Sequence, residues 1–573
     1  MTEKRYFKNA AILFVSMAIT KAVGALFKIP LANLLGGTGM GYFSTAYGLY
    51  SPVFAITAAA IPTVIMRITA RSAAVGNMSY AVAVRRKALI LFSFIGLLGT
   101  LAVGLLSHFF AEKIALSPES TPAVICISPA VMLCCIASVL RGYREGLADV
   151  MPTAAAAVAE SVSRAIFGLS LSYAVIFFAG NAFSNGRSVF GTDCATMEQA
   201  YNAALPHAAA GAVLAVSISE LCGLITLIIN EKRKKNRISI PIQPCRTNGI
   251  SSMLIKDTIP IAASALVMNT VSFADLLTVT RTLSRSFEAN RDFISLNYGN
   301  IMDKCGGISG LPNFMYGSYT GIAQSIFMLI PALAGMTSTA AAPEIAALWE
   351  RKEYTALSKK IALQMRMGAL IACPAFMGAA SIAEPILTML YNSRPEEVSV
   401  CLNSFIILCM GGIFSVISSA IFSVFQSVSK AHIPLILMSC SVIVKFILNP
   451  ILMSVPELNI SGAALATVIG YFITAVGGAA AFKKIIPGKT GLISAVLPPF
   501  ICAVGCGLSA FFAHKLLCNH FNNTICVILC TIIGAIIYAI LLILTGCFGT
   551  SGIIKQNFLK KSEKALEKNK KIG

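Results

Sequence analysis

The chain has 573 residues, 56% of them apolar, only 12% charged and one a Trp, a balance that excludes an ordinary water-soluble protein of this size. Its net charge of +21 would suit nucleic acid if it lay on one face, but the basic residues sit in alternate loops between apolar stretches, which marks membrane orientation and excludes that partner. Most of the seventeen cysteines fall inside those stretches (Cys126, Cys134, Cys135, Cys222, Cys409, Cys440, Cys502, Cys506), without a C-x-x-C pair, so they read as small packing residues, and the five scattered His give no metal-ligand spacing.

About fourteen hydrophobic stretches of roughly 20 residues follow one another, each long enough to cross about 30 Å of hydrocarbon as a helix. They are predicted at 10–29, 42–66, 88–110, 122–140, 153–178, 207–229, 257–283, 317–341, 361–390, 401–424, 432–453, 460–482, 491–513 and 524–548. The expected fold class is therefore an all-α polytopic membrane protein. Lys21 interrupts the first stretch and the second follows closely, so the first is expected to stay as a membrane helix and not to be cleaved as a signal peptide. Placing the N-terminus in the cytoplasm puts roughly 32 Lys/Arg inside, about 8 outside and about 5 within spans, which fixes the orientation. Both termini are expected in the cytoplasm of a bacterial plasma membrane, with the basic face against anionic lipid.

Ionisable residues within spans are few, and each is a candidate site because a charge at the bilayer centre costs about 2.5–3.5 kcal/mol on insertion scales. Span 1 carries Lys21 and Lys28, two turns apart and so on one helix face; two cations there suit a polyanion such as a diphosphate. Arg67 ends span 2. Span 5 carries Glu160 and Arg164 at i, i+4, spacing that permits a local ion pair. Glu220 in span 6 and Asp275 in span 7 are expected to be unpaired acids, able to take a coupling H+ or Na+ or to neutralise a lysine. Lys445 lies in span 11. Pro52, Pro62, Pro331 and Pro343, with the Gly36-Gly-Thr-Gly39-Met-Gly41 turn, supply bends for a moving carrier.

The chain also repeats. Leu140 to Pro152 aligns with Phe422 to Pro434 at an offset of 282, and the same offset carries Thr57-Ala-Ala-Ala60 onto Thr339-Ala-Ala-Ala342. Gly211-Ala-Val-Leu-Ala215 matches Gly462-Ala-Ala-Leu-Ala466 at 251. Spans 1–6 and 7–12 thus read as two parallel copies of a six-helix unit, an architecture of alternating-access carriers, with Lys445 at the repeat position of Ser163, next to Arg164. The expected organisation is an N-lobe at 1–235, a basic linker at 236–256, a C-lobe at 257–485, two extra helices at 486–550 and a basic tail at 551–573, with the substrate cavity expected where the lobes face each other.

The stretch Lys21 to Gly36, followed by Gly39-Met-Gly41-Tyr42, resembles the first helix and turn of the stage V sporulation protein B and MurJ-like polysaccharide transporters, a branch of the multidrug/oligosaccharidyl-lipid/polysaccharide (MOP) exporter superfamily. Arg141-Gly-Tyr143, Gly146 and Pro152-Thr153, with Glu160 and Arg164 after them, resemble that family's fourth-to-fifth helix junction. The resemblance implies a flippase that exports an undecaprenyl-diphosphate-linked saccharide, such as lipid II, in cell-wall growth or sporulation. It also implies arginines in the first helix; the matching positions here are Lys21 and Lys28, and a lysine keeps the charge but loses the bidentate fork. Substrate contacts are then expected at Lys21, Lys28, Arg67, Arg164 and Lys445, with Glu160, Glu220 and Asp275 as coupling or structural charges.

The expected partners are a polyprenyl-diphosphate-linked saccharide and membrane lipid, the chain acting as a monomer. No cofactor is expected beyond a coupling H+ or Na+. A cation-coupled multidrug exporter of the same superfamily is the alternative, but it would want acids where span 1 offers lysines. A membrane glycosyltransferase would want acidic motifs in a large external loop, and the loops at 179–206 and 284–316 hold only scattered acids. A scaffold without transport would need no buried charge.

Overall fold

The computed structural model describes residues 3–235, 249–486 and 491–546. Among them the secondary structure is helical, with no β-strand element: in hydrocarbon every backbone N–H and C=O must be satisfied within its own segment, which helices do. The long helices, in chain order, are α1 (Glu3–Ala55), α2 (Ile61–Ala74), α3 (Met78–Leu105), α4 (Thr121–Gly146), α5 (Met151–Ser184), α6 (Met197–Lys235) and α7 (Ile250–Ala289). There follow α8 (Arg291–Lys304), α9 (Leu311–Ser318), α10 (Leu329–Glu350), α11 (Tyr354–Ser381), α12 (Ala383–Leu390) and α13 (Pro395–Ser427). The last are α14 (His432–Met453), α15 (Ser461–Ile485), α16 (Leu492–Leu517) and α17 (Asn523–Leu544).

Local sequence sets several of these limits. The Asn77 side chain accepts the Tyr80 N–H at 3.0 Å and so caps α3, while α2, α4 and α5 each begin with proline in the first two positions, where its missing N–H is not needed. Twelve helices among the described residues are long and apolar enough to cross a membrane. The stretches expected at 10–29 and 42–66 lie on two helical runs within α1 that meet at the non-helical Gly36 (φ 61°, ψ −172°), the second continuing through a wide π-type turn, Ile56–Ala60, into α2. The stretch expected at 257–283 is helical within α7. The tail at 551–573 and residues 236–248 of the linker lie outside the described residues.

The contacts gather the chain into two compact units. One comprises Met1–Leu329, Ser393–Ser404 and Leu435–Gly470; the other comprises Ile330–Asn392, Phe405–Pro434 and Tyr471–Gly573. In the first, Ile61, Val64 and Ile65 of α2 pack with Val84 and Phe92 of α3 and Val139 of α4. Small residues bring its helices together, as they do generally in membranes, where lipid is as apolar as leucine and close van der Waals approach replaces the hydrophobic effect. One such close approach is α1 to α9: a Cβ on Gly317 would strike the backbone of Gly37 and Gly41. Polar links fasten the same crossing, the Asn313 side-chain amide donating to the Thr38 carbonyl at 3.0 Å and Ser44 meeting Thr320 at 2.8 Å.

In the second unit, Cys373, Ile413, Cys502, Cys506 and Tyr538 share one buried cluster across α11, α13, α16 and α17. Three of the seventeen cysteines are thus packing residues, each a small apolar group in a helix contact. Ser418 and Thr474 link α13 to α15 at 2.8 Å. An apolar groove of about 370 Å³ runs along this unit, lined by Ile413, Phe414 and Ile417 of α13, Val476 of α15 and Leu492 and Phe500 of α16, among others.

Candidate functional site

The charges that the bilayer should not tolerate collect in the first unit, and helices remote in sequence bring them together. Lys21 and Lys28 both lie on the α1 run before Gly36, separated by about 10 Å of helix rise; Lys21 is exposed and Lys28 half-buried. Phe27, between them in sequence, is buried against α5, where a Cβ on Gly168 would touch its ring.

In the same unit, α4, α5 and α6 hold two arginines and two glutamates. The i, i+4 pairing expected of Glu160 and Arg164 is not the one the fold makes. Arg141 Nη2 of α4 donates to Glu160 Oε1, while Arg164 turns to α6, its Nη2 3.6 Å from Glu220 Oε1 and its Nε donating to Ser219 Oγ at 3.2 Å. A helix neighbour four residues away offers only a surface-type pair; the interhelical partners remove both carboxylates from lipid, which matters more at this depth. Glu220 is 1% exposed, and its Oε2 has no hydrogen-bond partner. Tyr50 of α1, with an unpartnered buried hydroxyl, is within electrostatic reach of Glu220 and Arg164.

Asp275 is likewise not an unpaired acid. Lys445 Nζ of α14 donates to its Oδ2 at 2.7 Å, and Asn449 Nδ2 donates to its Oδ1 at 3.1 Å and to Thr278 Oγ1 at 2.8 Å. Lys445 is only 1% exposed, so its ammonium is committed to α7 and not turned to open space. Arg67 of α2 is exposed and pairs with Asp257 of α7 at 2.9 Å.

A further group of charges holds the break in α1. Arg394 Nε donates to the Asn33 carbonyl at 3.0 Å and its Nη2 to the Leu34 carbonyl at 3.3 Å, while Glu397 Oε1 accepts the Gly37 N–H at 3.0 Å. The guanidinium sits on the carbonyl end of one helical run and the carboxylate on the N–H end of the next, each where the helix dipole favours it. Tyr201 of α6 completes the clamp, its hydroxyl accepting from Arg394 at 2.5 Å and donating to Leu34 O at 2.8 Å. A cavity of about 450 Å³ opens beside it, walled also by Asn202, Lys304, Cys305 and Glu396. Glu396, 2.5 Å from the Lys304 ammonium, holds that group above the ordinary lysine range, and burial pushes the Cys305 thiol up to about 12. At neutral pH the wall therefore presents a charged amine and a neutral thiol.

The MatE family model matches residues 318–451. Stage V sporulation protein B of Bacillus subtilis (strain 168) is 22% identical over 492 residues, 85% of each chain. Lipid II flippase MurJ of the same organism is 20% identical over 558 residues, 93% of this chain and 94% of its own. A solved structure, lipid II flippase MurJ in an inward closed conformation, superposes with a TM-score of 0.65 at 14% identity, covering 95% of this chain and all of that one. Over most of its length this chain is similar to stage V sporulation protein B and to MurJ, and it shares the MurJ fold.

The chain carries its buried charge mainly as neutralised pairs, with the lysines of α1 as an exposed and a half-buried exception. Three of its functional-site residues escaped the sequence. Arg141 counted only as a loop cation, although its motif was visible; its position 19 residues before Glu160 gives no local signal. Arg394 and Glu397 lie in an ordinary-looking loop some 360 residues from the Gly36 turn they hold.

Proposed function

We propose that this protein is a flippase for a polyprenyl-diphosphate-linked saccharide, working by alternating access, with Lys21 and Lys28 of α1 and Arg164 of α5 receiving the diphosphate. The observation that carries the reading is the pair of lysines one above the other on α1, the first exposed and the second half-buried, in a chain whose Arg141, Arg164 and Lys445 face carboxylates. Two such cations at one face match the two charges of a diphosphate, whereas a cationic drug would be repelled by them. The similarity to a protein named lipid II flippase agrees with that substrate class. Lys445, held by Asp275, and Arg67, held by Asp257, are assigned supporting positions and not first contacts.

The apolar groove along α13, α15 and α16 suits the polyprenyl tail, since it offers side-chain methyl and ring surface and almost no polar atom. In this reading both termini are cytoplasmic, the headgroup is taken from the cytoplasmic side and released outside, and the saccharide never contacts hydrocarbon.

Complementation in a bacterium depleted of its lipid II flippase tests the assignment. The wild-type chain and Lys21→Arg should restore growth, because a guanidinium binds phosphate at least as well as an ammonium. Lys21→Ala should not, although an immunoblot should show normal abundance, since removing a charge from the membrane relieves a cost. Full growth on Lys21→Ala would remove this lysine from the headgroup site.

A further inference from the structure

We propose that Glu220 is a proton-operated switch on Arg164: ionised, its carboxylate holds the guanidinium; protonated, it releases the guanidinium to the diphosphate of the substrate. The inference rests on the headgroup reading above and adds what moves the site between empty and loaded.

The two ion pairs of the cluster are built differently. Arg141 and Glu160 are in direct contact, a pair that is closed to competition. Arg164 and Glu220 stand 3.6 Å apart, beyond a hydrogen bond, and Arg164 keeps 27% of its side chain exposed while the Glu220 side chain keeps 1%. A substrate anion can therefore reach the arginine but not the glutamate. The groups that face Glu220 are Tyr50 from α1, Cys134 and Arg141 from α4, and Glu160 and Arg164 from α5. The Oε2 atom and the Tyr50 hydroxyl are both buried without a partner, so a proton placed on Oε2 meets no competing donor.

Charge decides which cation the site takes. With both carboxylates ionised, the two arginines and two glutamates sum to zero. If a diphosphate drew Arg164 away, Glu220 would be left as an uncompensated buried charge, which is strongly unfavourable. One proton from solution, bound to Glu220 Oε2, restores neutrality and allows both events together. A metal cation would need several oxygen ligands beside two guanidinium groups that repel it, whereas the proton needs only the carboxylate. Proton uptake and anion binding are thereby linked, and each must strengthen the other by the same factor.

The test is equilibrium binding of a fluorescent short-chain prenyl-diphospho-disaccharide, whose phosphodiesters stay ionised throughout, to the purified full chain between mildly acidic and mildly alkaline pH. In the wild type, affinity should rise as pH falls, by up to about tenfold per pH unit, the limit for uptake of one proton. Glu220→Gln should bind at the wild type's acid-limit affinity at every pH, and Glu220→Asp should recover a slope, which a merely structural carboxylate would not. Arg164→Gln should bind weakly and without a slope. A flat wild-type profile, or a slope that persists in Glu220→Gln, would overturn the switch while leaving the headgroup reading in place. No binding by the wild type at any pH would remove both.

Discussion

Lys445 and Asp275 show how a charge survives in this membrane: the ammonium is met at 2.7 Å by a carboxylate whose other oxygen is satisfied by Asn449. Removing one partner of a buried pair leaves the other uncompensated, at a cost of about 3–5 kcal/mol, whereas replacing both by apolar groups of similar size is often close to neutral. Lys445→Met and Asp275→Leu should each lower the thermal stability of the detergent-solubilised protein sharply, and the double variant should recover most of the loss. Additive losses in a fluorescence-detected melting assay would show that the two side chains act independently. The sequence revealed that both residues were out of place in apolar spans, but not that they belong together. They are 170 positions apart, and no period of a single helix relates them. The same reason explains why Glu160 was matched with Arg164: spacing within a helix is visible in sequence, whereas Arg141 reaches Glu160 only once α4 and α5 have packed.

Among the helices, α1 has the most constrained course. Gly36 adopts a positive φ, and a Cβ there would come within 2.9 Å of both Arg394 Nη1 and Glu397 Oε1, so backbone conformation and space both call for glycine. The glycine-rich turn was evident from the sequence, yet the clamp that uses it was not, because its other half lies some 360 residues on, at the start of α13. One turn further on, α1 meets α9 at Gly317, where a Cβ would lie 2.8 Å from the Gly41 Cα. Gly317→Ala should force the two helices apart and destabilise the protein by about 1–3 kcal/mol, the usual range for overpacking. The same substitution at Gly335, where a Cβ would meet nothing, should have little effect on the melting temperature. Equal effects at the two positions would refute the close crossing.

The whole molecule is all-α and multi-pass, as its apolar rhythm predicts, because in lipid the backbone leaves few other choices. Function was legible only in part: cations on α1 suggest an anionic headgroup, but the groove along α16 exists only once α13, α15 and α16 have packed, and its use by a polyprenyl tail is a reading of shape and chemistry. The most direct measurement is headgroup translocation by the purified protein in liposomes that contain a fluorescent polyprenyl-diphospho-disaccharide, followed by its accessibility to a membrane-impermeant quencher. The wild type and Lys21→Arg should expose the inner-leaflet headgroups well above the protein-free rate, and Lys21→Ala should remain at that rate. Wild-type vesicles indistinguishable from protein-free ones, or vesicles that instead move ethidium, would contradict the assignment of this chain as a lipid-diphosphate flippase.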